Sequence, residues 1–403
     1  MRIATLSNAG VEHTRRWVGW FRGRGHEVRV WSLEAPLQGL TAERLPCAPL
    51  PGFLRYPLAL PALKAALERF APDLVDAHYV PNYGLLGALS GRHPLCVTAW
   101  GSDLLKAGRR GPLERARTRF VLRRADLVLA DAGNLAAAAR ALGAAPGKVQ
   151  MIPWGVDLER FRPAGQRERG LLVSTRMHEP VYDIGTILLG VKPVLERHAH
   201  ARLVVTGVGR LSAALERQAA ALLPAGRWRF AGQLAPGELA ELLGRAEVHL
   251  SASRSDSTSV SLLEAMAAGA IPVVSDIEGN REWVGEGEGA RLFPCGDAGA
   301  LAHALEQVLD EPAWAGAARA RNRRVVEERA NRQGNHERIE ALFAGLAGAR
   351  GGRLGCAGVC FCYVTSIRRS GEAGCTARWA SLAGCPGTAG TARSCAPARR
   401  TTG

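Results

Sequence analysis

The sequence predicts an α/β protein with two doubly wound domains, each built on a parallel sheet with helices on both faces. Strand-like runs alternate with helix-like segments in two successive series of about 150 residues each, the usual size of a domain. The runs are mostly apolar, which is typical of parallel strands buried on both faces. The pattern breaks between Pro153 and Pro163, where the two domains are expected to join. Ligands of such sheets bind at the carboxyl ends of the strands, so the expected site is the cleft between the domains.

Each predicted strand is a short run followed by a helical or loop segment. The first series contains the runs 2–6, 27–31, 73–77, 95–99, 127–130 and 149–152. The second series contains the runs 170–174, 202–206, 228–230, 248–250 and 271–274. A helical pattern over residues 313–347 follows. The predicted divisions are therefore an N-terminal domain over 1–160, a second domain over 161–325, a helix over 326–349 and a tail over 350–403.

The composition is that of a globular protein with a basic excess. The 403 residues are 47% hydrophobic and 22% charged, which excludes a disordered chain, a collagen and a pure coiled coil. Lysine and arginine outnumber the acidic residues by 52 to 37, a net charge of +15. No stretch that is both apolar and uncharged reaches the length of a membrane span, so neither a transmembrane helix nor a signal peptide is expected. The predicted location is cytoplasmic.

The tail differs in composition from the rest of the chain. From Gly351 to Gly403 it contains seven arginines, one glutamate and six of the nine cysteines. Their spacing lacks the paired C-x-x-C motifs and the histidines of a zinc module. The tail is interpreted as a disordered extension or the read-through of a shifted reading frame, and no function is expected from it.

The segment from Ser251 to Asp276 predicts a strand, a polar loop, a short helix and a second strand. The loop Ser257-Thr258-Ser259-Val260 enters the helix at its N-terminus, where free N–H groups and the helix dipole favour an anion such as a diphosphate. Asp256 precedes the helix, and Glu264 follows about two turns later, in a position to accept both hydroxyls of a ribose. The alternative is a purely structural capping box, because Ser261-x-x-Glu264 fits that motif.

The spacing of these two acids closely resembles the donor-nucleotide motif of the family-four glycosyltransferases, which are retaining enzymes of the GT-B fold. The segments that carry the resemblance, which covers residues 1–345, are Asp256-x7-Glu264-Ala265-Met266-Ala267-x-Gly269-x-x-Pro272-Val273-Val274, Phe230-x-Gly232, Ile152-Pro153-x-Gly155-Val156-Asp157 and Gly25-His26-Glu27-Val28. The resemblance implies that Asp256 contacts the transferred sugar and that Glu264 contacts the ribose. Aspartate stands here where the family more often has glutamate. The resemblance also implies that the helix 326–349 packs back on the first domain.

Arg176, which follows a predicted strand, matches the arginine that grips the donor diphosphate in this family, and a bidentate guanidinium suits that role. The family usually has a lysine five or six residues later, where this chain has Val181 and Tyr182. Arg210, Arg254 or backbone amides are the candidate substitutes for the missing cation. The alternative for Arg176 is a surface salt bridge.

Two glycine turns are also candidate parts of the site. Gly207-Val208-Gly209 follows a strand but only partly matches a dinucleotide fingerprint, and we assign Gly207 to the wall of the cleft. Gly10 resembles the family's glycine loop near the donor phosphates and the acceptor. A plain turn between strand and helix is the alternative for Gly10.

The histidine that the family often carries before a glycine is replaced by Trp100 in this chain. His78, Asp103 and His13 are the candidates for binding the reacting acceptor hydroxyl in its place. Trp100 is expected either to stack on a sugar ring or to belong to the core. Basic residues cluster over 13–24 and 106–124, which favours either a solvated basic face or contact with an anionic membrane. No ordered nucleic-acid motif accompanies them.

The resemblance implies a metal-independent glycosyltransferase that moves a sugar from a UDP-, GDP- or ADP-sugar to a hydroxyl of a glycan or lipid-linked acceptor. Synthesis of cell-envelope polysaccharides is the expected setting, and no cofactor besides the donor is implied. No Asp-x-Asp metal motif occurs in the sequence. The alternatives are a non-catalytic or epimerase-type GT-B protein that binds sugar nucleotides, and a dehydrogenase.

Overall fold

The computed structural model describes residues 1–46, 55–106, 111–285 and 287–351. From residue 352 onward, the tail lies outside the described part of the chain, and the predictions made for it lie there as well. Within the described part, no helix combines the length and the apolar character needed to cross a lipid bilayer.

The first domain is built on a seven-stranded parallel sheet. Its strands are β1 (Arg2–Leu6), β2 (Glu27–Ser32), β3 (Glu43–Arg44), β4 (Leu74–His78), β5 (Leu95–Thr98), β6 (Leu127–Ala130) and β7 (Val149–Met151). Their order is β3-β2-β1-β4-β5-β6-β7. The helices are α1 (Glu12–Gly23), α2 (Arg55–Leu58), α3 (Leu60–Phe70), α4 (Leu85–Ser90), α5 (Ser102–Leu105), α6 (Pro112–Arg124) and α7 (Gly133–Ala141), with a π-helical turn over Tyr79–Gly84.

The second domain repeats this design with six parallel strands. They are β8 (Leu171–Ser174), β9 (Arg202–Thr206), β10 (Trp228–Gly232), β11 (Val248–Ser251), β12 (Ile271–Ser275) and β13 (Arg291–Phe293), in the order β10-β9-β8-β11-β12-β13. Its helices are α8 (Ile184–Arg197), α9 (Ser212–Leu222), α10 (Pro236–Arg245), α11 (Val260–Ala268), α12 (Glu278–Val284) and α13 (Ala298–Asp310). Both sheets have the doubly wound order in which the first and fourth strands of the unit lie side by side, β1 next to β4 and β8 next to β11, at the switch point.

Alternating side chains of the central strands pack into separate cores on the two faces of each sheet. In β1, Leu6 belongs to one buried cluster, whereas Ile3 belongs to the cluster on the opposite face. In β8, Leu172 and Val173 divide in the same way between two clusters. Successive side chains of a strand point to opposite faces, so an apolar run supplies both layers. The prediction of sheets buried on both faces is confirmed.

The C-terminal helical pattern is divided into two helices, α14 (Pro312–Arg329) and α15 (Arg332–Gly351), instead of one. The break occurs because the backbone at Ala330 and Arg332 hydrogen-bonds to Val156 in the segment that joins the domains. A Cβ on Gly155 would lie 2.6 Å from the carbonyl oxygen of Ala330, so only glycine permits this close approach.

Helix α15 then packs on the first domain. Its Phe343 is fully buried and stacks on Phe21 of α1, with 5.4 Å between the ring centroids. Ile339 and Phe343 belong to the same buried cluster as Trp17 and Val18. The return of the C-terminal helix to the first domain therefore rests on burial of its apolar face.

Candidate functional site

The carboxyl ends of the two sheets face each other across a cavity of about 200 Å³. The first domain contributes His13, Trp100 and Asp131 to its lining, and the segment that joins the domains contributes Trp154. The side of the second domain contributes Arg176, Tyr182 and the segment 256–261. The cleft expected from the sequence is present, and it contains part of the predicted donor site.

Arg176 follows β8 and is held in place by the polar loop that precedes α11. Its side chain donates hydrogen bonds to Ser259 Oγ at 2.6 Å, to Ser261 Oγ at 2.9 Å and to Asp256 Oδ2 at 2.5 Å. Arg176 is only 8% exposed, and its Nε–H has no hydrogen-bond partner among the described residues. The surface salt bridge considered for Arg176 is wrong, since its ion pair lies within the cleft.

Tyr182 takes part in the same cluster through its ring rather than through a charge. The guanidinium carbon of Arg176 lies 4.1 Å from the centroid of that ring, the geometry of a cation–π contact. The two candidate substitutes for the missing lysine lie elsewhere. Arg210 pairs with Glu179 at 2.8 Å and Arg254 pairs with Asp183 at 2.8 Å, and neither arginine lines the cavity. Of the described residues around this cavity, Arg176 is the one arginine, and no lysine is among them.

The loop 256–259 forms the entrance to α11. Ser259 is the N-cap, and its Oγ accepts a hydrogen bond from the backbone N–H of Leu262. The capping box considered for Ser261 and Glu264 is therefore wrong, because the N-cap is Ser259, two residues before Ser261. The amides at the start of α11 lack partners within the helix, and they lie beside Arg176 at the cavity. This arrangement suits an anionic ligand.

Glu264 lies in the second turn of α11 and is 6% exposed. Burial raises the pKa of its carboxyl group to about 7, although several arginines oppose this shift. One of them is Arg16 of α1, whose Nη1 lies 3.9 Å from Glu264 Oε1 across the domain boundary. A carboxyl group whose pKa is strongly shifted by burial beside charged groups is a candidate for ligand binding.

The two glycine turns differ in their surroundings. A Cβ on Gly207 would lie 2.6 Å from the carbonyl oxygen of Arg176, and the φ of Gly207 is +96°. Gly207 thus lets the end of β9 approach the strand end that bears Arg176. Gly10 lies in the turn between β1 and α1, where its N–H donates a hydrogen bond to Asn8 Oδ1. Neither glycine lines the cavity at Arg176.

His78 ends β4 and lines a second cavity, of about 560 Å³, within the first domain. Its Nε2 lies 2.9 Å from Asp76 Oδ2, and the same carboxylate accepts a hydrogen bond from Trp17 Nε1. His78 is fully buried, and its Nδ1 has no hydrogen-bond partner in the described part of the chain. The other residues that line this cavity are Ser7, Asn8, Glu34, Arg55, Tyr56, Tyr79, Asn82, Tyr83, Trp100, Glu114 and Arg117.

Asp103 is predicted to bind the acceptor hydroxyl, but the structure corrects this. Its carboxylate accepts hydrogen bonds from the backbone N–H groups of Val80, Trp100 and Leu104. It is completely buried and lines neither cavity. Burial raises its pKa, while these amides act in the opposite direction. Asp103 therefore braces the loop that carries Trp100 against the π-helical turn.

Asp131 and Trp154, which both line the cavity at Arg176, are not among the site residues predicted from the sequence. Asp131 is the first residue after β6, and the rule that ligands bind at the carboxyl ends of strands was sufficient to mark it. Trp154 lies in the joint between the domains and lacks such a signal. Among the described residues, no group of three or more histidine, cysteine or acidic side chains is arranged to hold a metal ion.

Two family models match consecutive parts of the chain. The model described as Glycosyltransferase Family 4 matches residues 10–160, and the model described as Glycosyl transferases group 1 matches residues 160–331. A phosphatidyl-myo-inositol mannosyltransferase of Mycolicibacterium smegmatis is 32% identical over 167 residues, which are 40% of this chain and 42% of that protein. The match thus spans less than half the length of that relative. A D-inositol 3-phosphate glycosyltransferase of Catenulispora acidiphila is 27% identical over 316 residues, which are 69% of this chain and 71% of that protein.

Solved structures show the same architecture at lower identity. The sucrose-phosphate synthase of Thermosynechococcus elongatus superposes with a TM-score of 0.74 at 19% identity, covering 87% of this chain and all of that one. HepE of Anabaena in complex with UDP-glucose superposes with a TM-score of 0.72 at 16% identity, covering 86% of this chain and all of that one. The fold is GT-B, as the sequence predicts. With consecutive models matching both of its domains, the chain belongs to the group 1 glycosyltransferases of family 4.

Proposed function

We propose that this protein transfers a hexosyl group from a nucleoside diphosphate sugar to an acceptor hydroxyl, with retention of the anomeric configuration and without a metal ion. The observation that carries the proposal is the environment of Arg176. A buried guanidinium, whose Nε–H has no partner among the described residues, lies beside the N-terminus of α11, and Glu264 lies in the second turn of the same helix. These groups suit a diphosphate and a ribose, respectively.

The chemistry of the proposed step is mainly electrostatic. As the bond to the sugar breaks, negative charge develops on the leaving β-phosphate and positive charge on the sugar ring. Arg176 and the first amides of α11 are placed to stabilise the leaving group. In the free protein Arg176 pairs with Asp256. A bound diphosphate competes for the guanidinium, and this frees the Asp256 carboxylate for the sugar.

The proposed acceptor site is the cavity that His78 lines in the first domain. Its wall combines Arg55 with the aromatic residues Tyr56, Tyr79 and Tyr83, which suits an acceptor that carries both sugar or cyclitol faces and an anionic group. Two relatives are named for phosphorylated inositol acceptors, phosphatidyl-myo-inositol and D-inositol 3-phosphate. We propose a glycan or lipid-linked acceptor of the cell envelope.

A peripheral contact with an anionic membrane belongs to the same proposal. Helix α6 exposes Leu113 and Phe120 beside basic side chains, and Arg124 lies over the ring of Phe120. Exposed apolar side chains flanked by arginines suit the interface of an anionic lipid surface. With this face of α6 on the membrane, a cytoplasmic enzyme reaches lipid-linked acceptors.

The test begins with a thermal-shift screen of UDP-, GDP- and ADP-sugars, with NAD as the comparison ligand. We expect one nucleotide series to raise the melting temperature and NAD to leave it unchanged. Glu264→Ala is expected to abolish the shift and all donor hydrolysis. The matched control is Glu328→Ala, since Glu328 is an exposed glutamate of α14.

Transfer itself is then measured with the stabilising donor. Proton NMR of the product reports the anomeric configuration, and activity in excess EDTA reports on metal. A product of inverted configuration, or activity lost in EDTA and restored by a divalent ion, contradicts the respective part of the proposal. Stabilisation by NAD alone favours the dehydrogenase alternative and overturns the whole proposal.

A further inference from the structure

Asp131, the first residue after β6, belongs to the first domain but lies against the donor loop of the second. Its Oδ2 accepts a hydrogen bond from Ser257 Oγ at 3.2 Å. Its backbone carbonyl accepts a hydrogen bond from Thr258 Oγ1 at 2.6 Å. The side chain is 7% exposed and lines the same cavity as Arg176 and Asp256.

The hydrogen bonding of Asp131 is incomplete. Its Oδ1 is buried and has no hydrogen-bond partner among the described residues. Buried polar atoms in folded proteins are rarely left unpaired, so such an atom at a cavity points to a missing ligand. Burial, reinforced by the nearby carboxylates of Asp256, Asp103 and Glu282, raises the pKa of Asp131 to about 8. A carboxyl group that holds its proton at neutral pH both donates and accepts hydrogen bonds, as a sugar hydroxyl does.

The rest of the cavity indicates which part of the donor Asp131 meets. Arg176 and the start of α11 form one end, which the proposed diphosphate occupies. Trp100 and Trp154 also line the cavity, and the indole N–H of Trp100 has no hydrogen-bond partner in the described part of the chain. Aromatic faces beside a carboxyl group suit the apolar faces and the hydroxyls of a pyranose ring.

We propose that Asp131 hydrogen-bonds a hydroxyl of the transferred sugar and thereby helps to determine which hexose the site accepts. This inference rests on the proposed function. The contact comes from the first domain, whereas the nucleotide is bound by the second. Sugar recognition therefore involves both sides of the cleft, and nucleotide recognition involves one.

The position of Asp131 does not depend on its own carboxyl group. Gly133 N–H donates to Glu282 Oε2 at 2.9 Å, and Asn134 Nδ2 donates to the backbone carbonyl of Asp256 at 3.2 Å. Together with the bond from Thr258, these contacts hold the β6–α7 loop against the second domain. A change confined to the carboxyl group of Asp131 therefore leaves the loop in place, which makes the residue suitable for substitution.

The experiment compares the dissociation constants of UDP-glucose, GDP-mannose and ADP-glucose with those of UDP, GDP and ADP, measured by calorimetry. In Asp131→Ala we expect about a tenfold loss for the preferred sugar nucleotide, the effect of one hydrogen bond in a buried site, and a change of less than about twofold for the bare diphosphate. Asp131→Asn has nearly the same shape and guards against a folding defect. It is expected to bind the bare diphosphate normally and to change the ratio of kcat/KM between epimeric hexose donors.

Asn134→Ala is the matched control, because it weakens the same contact between the domains without altering the cavity lining. It is expected to leave the contribution of the sugar to binding unchanged. An equal loss for the sugar nucleotide and the bare diphosphate in Asp131→Ala overturns the inference, as does a sugar-specific loss of the same size in Asn134→Ala. Wild-type protein that binds none of the diphosphates overturns the proposed function as well. If Asp131→Ala binds the bare diphosphate normally and the sugar still adds as much to binding as in the wild type, the inference is overturned but the proposed function is not.

Discussion

Replacing Arg176 by glutamine tests whether the ion pair in the cleft is as buried as the structure has it. The substitution removes the charge that faces Asp256 and the hydrogen bonds to Ser259 and Ser261. Removing one partner of a fully buried pair costs about 3–5 kcal/mol, because the other charge is left unpaired. The side chain of Asp256 is 19% exposed and also accepts a hydrogen bond from the N–H of Ser257. Because Asp256 is partly exposed, we expect a smaller loss than this range, about 2–3 kcal/mol in the free energy of unfolding.

The assay is urea unfolding, followed by circular dichroism, of the wild type, Arg176→Gln, Asp256→Asn and the double variant. The double variant is expected to lose less than the sum of the single losses, by at least about 1 kcal/mol, because neither charge then remains unpaired. Arg210→Gln is the control, since its ion pair is exposed and is worth less than about 1 kcal/mol. Donor binding is expected to be lost in Arg176→Gln, and the double variant is not expected to restore it. Additive losses, or a loss in Arg176→Gln no larger than that in Arg210→Gln, would refute the reasoning.

The other predictions concern Glu264 and Phe343. Burial raises the pKa of Glu264 from 4.5 to about 7, so the folded state retains a proton that the unfolded chain releases. The unfolding free energy contributed by this group therefore falls as the pH rises from about 4.5 to 7, by about 3 kcal/mol, and Glu264→Gln removes that slope. Urea unfolding at pH 5 and pH 8 measures it, and equal slopes in both proteins would contradict the burial. In the same assay, Phe343→Ala is expected to lower the free energy of unfolding by about 3–5 kcal/mol. The control Arg338→Ala, at an exposed position of α15, is expected to lower it by less than about 0.5 kcal/mol. Equal losses would show that α15 is not anchored by its apolar face.

Much of the fold was predictable because parallel strands leave a strong local signal. The apolar runs at 2–6, 95–99 and 271–274 were placed within one or two residues of the strands in the structure. The short edge strands β3 and β13 were missed, because two or three residues carry too little pattern to stand out. The continuous C-terminal helix was also wrong. Its sequence is helical on both sides of Ala330, and only the hydrogen bonds to the distant Val156 interrupt it.

The candidate site was predictable where the chemistry lies within one short segment. The segment from Asp256 to Glu264 marks a strand end, a helix N-terminus and two acids at a fixed spacing, all of which are local properties. Arg176 was identified separately, and its approach to Ser259 and Asp256 depends on the adjacency of β8 and β11 in the sheet. Asp103 illustrates the converse. Its position near a strand end suggested a ligand contact, but three backbone amides take up its carboxylate.

The sequence by itself determined the two doubly wound sheets, the location of the cleft and the polar loop that enters α11, because strand and helix patterns are properties of neighbouring residues. Only the tertiary structure decided which charges meet. It paired Arg176 with Asp256, turned Arg210 and Arg254 toward other acids, and brought Asp131 from the first domain to Ser257 in the second. The physical reason is that the ionisation and hydrogen bonding of a side chain depend on the groups within a few ångströms of it, and these groups come from strands and loops far apart in the chain.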